Sequence, residues 1–323
     1  MKNNTGYEKN NSLKHIPVLL EEVIKYLEVR DNFTYLDCTF GMGGYSRAIL
    51  SAAKSKVIAI DRDPDVKKYA KNLKHKERER FRFIQCRFSE LENLLSESKS
   101  IKIDGGMVFD FGVSSMQIND PTRGFSFILD GPLDMRMSRE GVTAKEIVNS
   151  YKEKDLAKLI LDNSDEKFSK RISKAICMAR ENKIINSTTQ LAKIIREAQP
   201  PKNSKIDPAT RTFQALRMVV NEEQLEIEKA LEAAEKYLLP GARLVIVSFH
   251  SVEDRIVKKF LKLKSKPNNP SRHLPINNNN FVPSFSMLTR KVIVPSKKEF
   301  DKNNKSRSAK LRTAVRLKSE ILH

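Results

Sequence analysis

The run Tyr35-Leu-Asp-Cys-Thr-Phe-Gly-Met-Gly-Gly-Tyr-Ser46 decides the fold. An apolar stretch, Phe33 to Leu36, leads into the acidic Asp37, then into Gly41, Gly43 and Gly44, and then into the helical pattern Arg47-Ala48-Ile49-Leu50. This order predicts a short buried strand that turns sharply into a helix. Glycine accepts positive φ and lets a ligand come close to the backbone.

Val57 to Ile60 reads as a second buried strand ending in Asp61, twenty positions beyond Gly41. In doubly wound α/β sheets an acid at that strand end accepts hydrogen bonds from ribose hydroxyls. The dinucleotide pattern Gly-x-Gly-x-x-Gly is incomplete, because Ser46 stands at its third glycine. Asp37 before the turn and the Gly-x-Gly-Gly order fit the first motif of S-adenosylmethionine methyltransferases better than a pyrophosphate loop. An NAD-dependent oxidoreductase is the competing enzyme reading, and a strand-helix turn without a ligand is the structural one.

The chain has 323 residues, 39% hydrophobic and 31% charged, which suits a globular protein of one large α/β domain with an insertion, or two domains. Its formal net charge of +20 favours a polyanionic partner, nucleic acid first, since each neutralised phosphate releases counterions. A basic surface without a specific partner is the plainer alternative. Cys38, Cys86 and Cys177 form no Cys-x-x-Cys pair, so neither a zinc site nor an oxidising compartment is predicted. No apolar run has the length of a membrane span and Met1 to Asn11 lacks a signal-peptide core, so a cytoplasmic protein is expected.

Residues 1–13 are rich in Asn and Lys and read as a flexible tail. A helix follows from Pro17, with Leu20, Val23, Ile24 and Leu27 on one face. Asp63-Pro64 opens another helix, Phe81 to Gln85 alternates as a third strand, and Gly106 to Phe111 is a fourth, carrying Asp110 at its end. Phe88, after the third strand, either flanks an adenine or plugs the core under its loop. Alternation of strand and helix predicts a parallel sheet with right-handed crossovers. Ligands bind beyond the carboxyl ends of such strands, so Asp37, Gly43, Asp61, Phe88 and Asp110 are expected around one pocket.

From Asp120 to Asn203 only helical patterns appear: 144–149, 155–161, 166–179 and 190–198. A helical domain, residues 119–206, is therefore expected within a discontinuous sheet domain of residues 14–118 and 207–323. Lys167, Lys170, Arg171 and Lys174 read as a solvated face before an RNA contact. A helical pattern from Pro208 to Leu238 breaks near Asn221, and Arg243 to Phe249 restores the sheet as a fifth strand. Ser251 is expected to cap the next helix, with Glu253 and Asp254 at its positive end. Residues 265–284 read as a loop, and Leu288 to Val294 with Leu311 to Leu317 as a terminal antiparallel pair. The stretch linking them carries Lys297, Lys298, Lys302, Lys305 and Arg307, a candidate phosphate-contacting surface.

Five strings, in order, resemble one bacterial family: Asp37 to Ser46, Phe109 to Gln117, Arg123 to Met137, Pro208 to Arg217 and Ser248 to Lys258. They resemble the 16S ribosomal RNA cytosine-N4 methyltransferases, small-subunit methyltransferase H, formerly MraW, from about His15 to Leu317. The resemblance implies a class I, Rossmann-like methyltransferase sheet with an inserted all-helical substrate-recognition domain. It implies S-adenosylmethionine as donor, 16S rRNA or the small ribosomal subunit as partner, and a decoding-centre cytosine, the family's position 1402, as target. Carried over by motif, the donor-binding positions are Gly43, Gly44, Tyr45, Asp61, Phe88, Asp110 and Gln117. The family usually has His where Tyr45 stands and Pro where Met116 stands, so a contact needing an imidazole would be lost here while a backbone contact would survive.

DNA amino-methylases carry Asp/Asn-Pro-Pro-aromatic after the fourth strand, whereas this chain has Asp110-Phe-Gly-Val, so no catalytic residue is assigned. Phe125 and Phe127 either stack an extruded base or form a short core strand. Asp134 either touches substrate or pairs with Arg136, and His250 either contacts cytosine or phosphate or bonds nearby backbone. A non-enzymatic ribosome assembly factor on the same fold is the third functional class.

Overall fold

A computed structural model of the chain describes residues 17–98, 101–200, 206–265 and 282–318. The expected tail, residues 1–13, and most of the expected loop 265–284 lie outside the described residues. Seven strands form one sheet: β1 Thr34–Asp37, β2 Lys56–Asp61, β3 Phe81–Gln85, β4 Gly106–Asp110, β5 Arg243–Ser248, β6 Phe285–Met287 and β7 Lys310–Arg316. Their order is β3-β2-β1-β4-β5-β7-β6, with β1 to β5 parallel and β7 antiparallel to both of its neighbours. The chain builds outward from β1 to β3 and returns to place β4 on the other side of β1. That reversal opens a crevice at the strand ends between β1 and β4, the usual ligand position of such a sheet.

Alternation along the strands feeds two cores. Leu36, Ile58, Ile60, Met107, Phe109, Leu244 and Ile246 bury one face, while Tyr35, Val57, Ala59, Val108, Val245 and Val247 bury the other. Both faces are covered by helices, which is why these strands read as continuous apolar runs. The terminal pair differs from the expectation in register. β6 is Phe285–Met287 rather than Leu288 to Val294, whose Ile293 makes only an isolated bridge to Leu311. Buried Phe285 anchors that strand against the ring of Phe260, which the sequence pattern alone did not distinguish from a loop residue.

Between β4 and β5 lie the helices Ala144–Ser150, Glu153–Ser164, Ser169–Asn182 and Thr188–Ala198, close to the expected spans. They share a third core containing Leu133, Ile147, Leu156, Ile172 and Leu191. Ala209–Val220 adds Ala209, Phe213 and Leu216 to this core, and its partner helix Glu223–Tyr237 packs on the sheet core through Ile227 and Leu231. The break between them falls at Asn221, as its position predicts. Buried Asn221 donates to the carbonyls of Met135 and Arg217 and accepts from the Met137 N–H, fixing the segment 134–137 to the hinge of the two helices. Lys167, Lys170, Arg171 and Lys174 are exposed, as a solvated face requires.

Candidate active site at the carboxyl ends of the strands

Asp37 does not reach the crevice. It is fully buried beneath the glycine turn, accepting from the Ser46 hydroxyl at 2.6 Å, the Ser46 N–H at 3.1 Å and the Thr39 N–H at 3.2 Å. Burial raises its pKa, and those three donors oppose the rise. Its work is to hold the turn that starts the helix Gly44–Ala52. Gly43 caps that helix at φ 79°, and a Cβ on Gly44 would lie 2.1 Å from the ring of Pro17. Tyr45 turns its phenol into the core and donates to the Val18 carbonyl, so it offers the crevice backbone rather than a ring nitrogen's substitute.

Asp61 stands where the ribose acceptor is expected. Its two oxygens accept one N–H each, from Gly41 at 2.8 Å and Asp63 at 2.9 Å. A carboxylate has about four acceptor positions, so two remain for a ligand. Burial pushes its pKa up to about 6, against the lowering effect of the two N–H bonds. The Asp110 N–H donates to the Thr39 hydroxyl oxygen at 2.9 Å, while the buried Asp110 Oδ1 has no hydrogen-bond partner. Burial, with Asp37 and Glu253 nearby, drives the Asp110 pKa well above the carboxylate range. An orphaned carboxyl oxygen at a cavity wall is what a cationic or N–H-bearing ligand would relieve.

These groups line a cavity of about 1030 Å³ together with Gly44, Tyr45, Phe88 and Gln117. Phe88 meets Phe109 edge-on at 5.6 Å, so it is supported by the core and still forms part of the wall. Gln117 is buried, with its amide donating to Asp63 Oδ2 at 2.7 Å and accepting from the Ser114 N–H. Gly43 and Asp37, expected in the pocket, lie outside its lining, although their neighbours Cys38 to Met42, Gly44 and Tyr45 reach the wall.

The far wall comes from the inserted block. Phe125 and Phe127 form no strand; both line the cavity, Phe127 edge-on to Phe213 at 4.7 Å. Asp134 is absent from the wall, since Arg136 grips it at 2.7 to 3.2 Å through Nε and Nη2. His250 does line the cavity and also takes the cap expected of Ser251: its Nδ1 accepts from the Glu253 N–H at 3.4 Å, and the Ser251 hydroxyl instead donates to Asp165.

The sequence reading missed Arg217 as a site residue, although it closes one of the quoted strings. Its guanidinium holds Glu223 with two bonds of 2.8 Å and lies 3.1 Å from His250 Nε2 and 3.5 Å from Glu253 Oε1. Glu223, His250 and Glu253 bring potential metal ligands within 4.8 Å of one another, but the cation among them is Arg217. Burial works to raise the Glu253 pKa, yet His250 and Arg217 hold it below the ordinary value. Sequence separation hid this cluster, because helix Ala209–Val220 and the β5 exit meet only in the fold.

The MraW methylase family matches residues 12–317. A ribosomal RNA small subunit methyltransferase H from Paramagnetospirillum magneticum is 49% identical over 94% of this chain and 95% of its own. One from Rickettsia bellii is 46% identical over 94% and 99%. The chain belongs to the MraW methylase family. Among solved structures, an rRNA methylase from Streptococcus thermophilus aligns with 94% of this chain and 99% of its own at 12% identity, with a TM-score of 0.42. The crevice at the sheet's switch point, the usual ligand position of such a sheet, shares its cavity with Phe125, Phe127 and Arg217. Among the described residues no helix is long and apolar enough to cross a membrane.

Proposed function

We propose that this S-adenosylmethionine-dependent rRNA methyltransferase places a methyl group on the exocyclic N4 amine of a cytosine in the decoding centre of 16S rRNA. The observation that carries the reading is a single cavity with two unlike walls. On the sheet side stand Asp61, with two acceptor positions left over, Phe88, and the orphaned Asp110. From the inserted block come Phe125 and Phe127, and from the helix that follows it comes Arg217. About 1030 Å³ is at the upper end of single-ligand pockets, which fits a donor and a flipped nucleotide together. Relatives named as small-subunit rRNA methyltransferases and the net charge of +20 support an RNA acceptor.

When bound, S-adenosylmethionine supplies an electrophilic methyl group on a sulfonium. The chain's own contribution is orientation. Asp61 accepts ribose hydroxyls, Phe88 flanks the base, and Tyr45 and Gly44 bring backbone close. Asp110 Oδ1 takes a donor N–H or faces positive charge. Phe125 gives the pyrimidine a face to stack on, with the Arg123 guanidinium 5.7 Å behind the ring. Holding the amine about 3–3.5 Å from the carbon it attacks is chiefly an entropic gain. The block 119–206 serves as the RNA-recognition part and residues 14–118 with 207–323 as the donor part.

Nucleoside mass spectrometry of small-subunit rRNA from cells with and without the gene tests this. Loss of N4-methylcytidine in the deletion is the expected result, and unchanged content overturns it. Calorimetry with S-adenosylhomocysteine against NAD separates the methyltransferase from the oxidoreductase reading.

A further inference from the structure

Ile128 is 84% exposed and Leu129 59%, at the tip of a loop whose Phe125 and Phe127 line the cavity, as Ile128 itself does. Such exposure at a pocket rim contributes nothing to the core. The loop is held rigidly beneath its tip. A Cβ on Gly124 would lie 2.1 Å from the Pro132 carbonyl oxygen, and one on Gly131 would lie 2.0 Å from that of Pro121, so both ends press against neighbouring backbone. Thr188 N–H donates to the Gly131 carbonyl at 2.9 Å, Gly131 N–H to the Thr188 hydroxyl at 3.1 Å, and Thr189 binds Asp130 through hydroxyl and N–H. Phe127 is braced by Phe213 and by Arg196, 5.6 Å from its ring. An exposed apolar side chain is thus presented on a fixed mount beside the cavity proposed to receive the target base.

Enzymes that act on a base atom take the base out of its stack, and apolar side chains inserted between base steps fill or force the gap. We infer that Ile128 is the wedge that enters the RNA stack when the target cytosine swings into the cavity, with Leu129 packing beside it. The inference rests on the proposed cytosine target. Its occupant is RNA because the tip is continuous with the nucleotide pocket and the chain is strongly basic.

The test uses full-length protein, small subunits from cells lacking the gene, and a decoding-site RNA carrying a fluorescent cytosine analogue at the target. With wild type and S-adenosylhomocysteine the analogue brightens as it unstacks. Ile128→Ala brightens it less and lowers kcat/KM on subunits by about tenfold, while Ile128→Leu stays near wild type and S-adenosylhomocysteine affinity is unchanged in both. Unaltered brightening and turnover in Ile128→Ala overturn the wedge, as does lost turnover with full brightening, which would assign the tip to a protein contact. Failure of the target assignment is separate: wild type would then yield a methylated nucleoside other than N4-methylcytidine.

Discussion

Arg123 Nη1 lies 2.9 Å from Asp63 Oδ2, and both side chains are buried. The same guanidinium donates through Nη2 to the carbonyls of Arg136 and Met137, and the same carboxylate accepts from Gln117. Arg123 Nη1 also lies 2.7 Å from Asp65 Oδ2, so two ion pairs join the loop after β2 to the first loop of the inserted block. Removing Arg123 strands the buried Asp63 carboxylate in a dry site.

Arg123→Met is expected to cost about 3–5 kcal/mol of stability, because Asp63 is left as an uncompensated buried charge. Asp63→Asn with Arg123→Met should recover much of it. Urea denaturation of the single and double variants measures both numbers, and an unchanged midpoint for Arg123→Met would remove the pair from any structural role.

Gly44→Ala places a methyl group 2.1 Å from the Pro17 ring, so the N-terminal segment must shift. An overpacking cost of about 1–3 kcal/mol and weaker S-adenosylhomocysteine binding are expected. Pro17→Gly alone should be mild, and in combination it should relieve the clash. A double-mutant cycle showing no coupling between the two positions contradicts the contact.

Asp61 gives a pH dependence with a definite sign. Its folded pKa, about 6, stands above the ordinary 3.8, so between those values the folded state binds the proton more tightly than the unfolded one. Its contribution to stability is therefore greatest below pH 3.8 and declines as pH rises towards 6. Donor binding runs the other way, since the ionised carboxylate is the stronger acceptor for ribose hydroxyls. Calorimetry with S-adenosylhomocysteine should show affinity rising with pH through about 6, and Asp61→Asn should flatten that rise. Asp61→Ala should weaken binding by about 1–3 kcal/mol.

Asp110→Asn separates stability from function. A carboxyl whose pKa burial raises in the folded state destabilises the fold at any pH above its ordinary value, so the amide variant should melt higher than wild type at pH 8 without ligand. Its affinity for S-adenosylhomocysteine should fall. A variant that melts lower and binds normally would mean that Oδ1 already has a partner in solution.

Much of the fold was legible in the chain because its signals are local. The glycine turn, the alternation that buries both strand faces, and the Asn221 break each depend on neighbours in sequence. Errors arose where packing chose between equal local patterns. The edge strand formed at Phe285–Met287 rather than over Leu288 to Val294, and there Phe285 packs against the ring of Phe260. His250 displaced Ser251 as the helix cap because the Ser251 hydroxyl found Asp165, far away in sequence.

Residue order alone determined a parallel sheet with an acid-and-glycine crevice, a helical insertion, and membership of a methylating family, since periodicity and contiguous motifs survive without coordinates. Tertiary structure alone decided which residues line the cavity: Asp37 and Asp134 spend their carboxylates on the protein itself, while Arg217 and Ile128 arrive at its wall. The reason is that a side chain's free bonding capacity depends on partners brought from distant elements, and no local pattern encodes those distances.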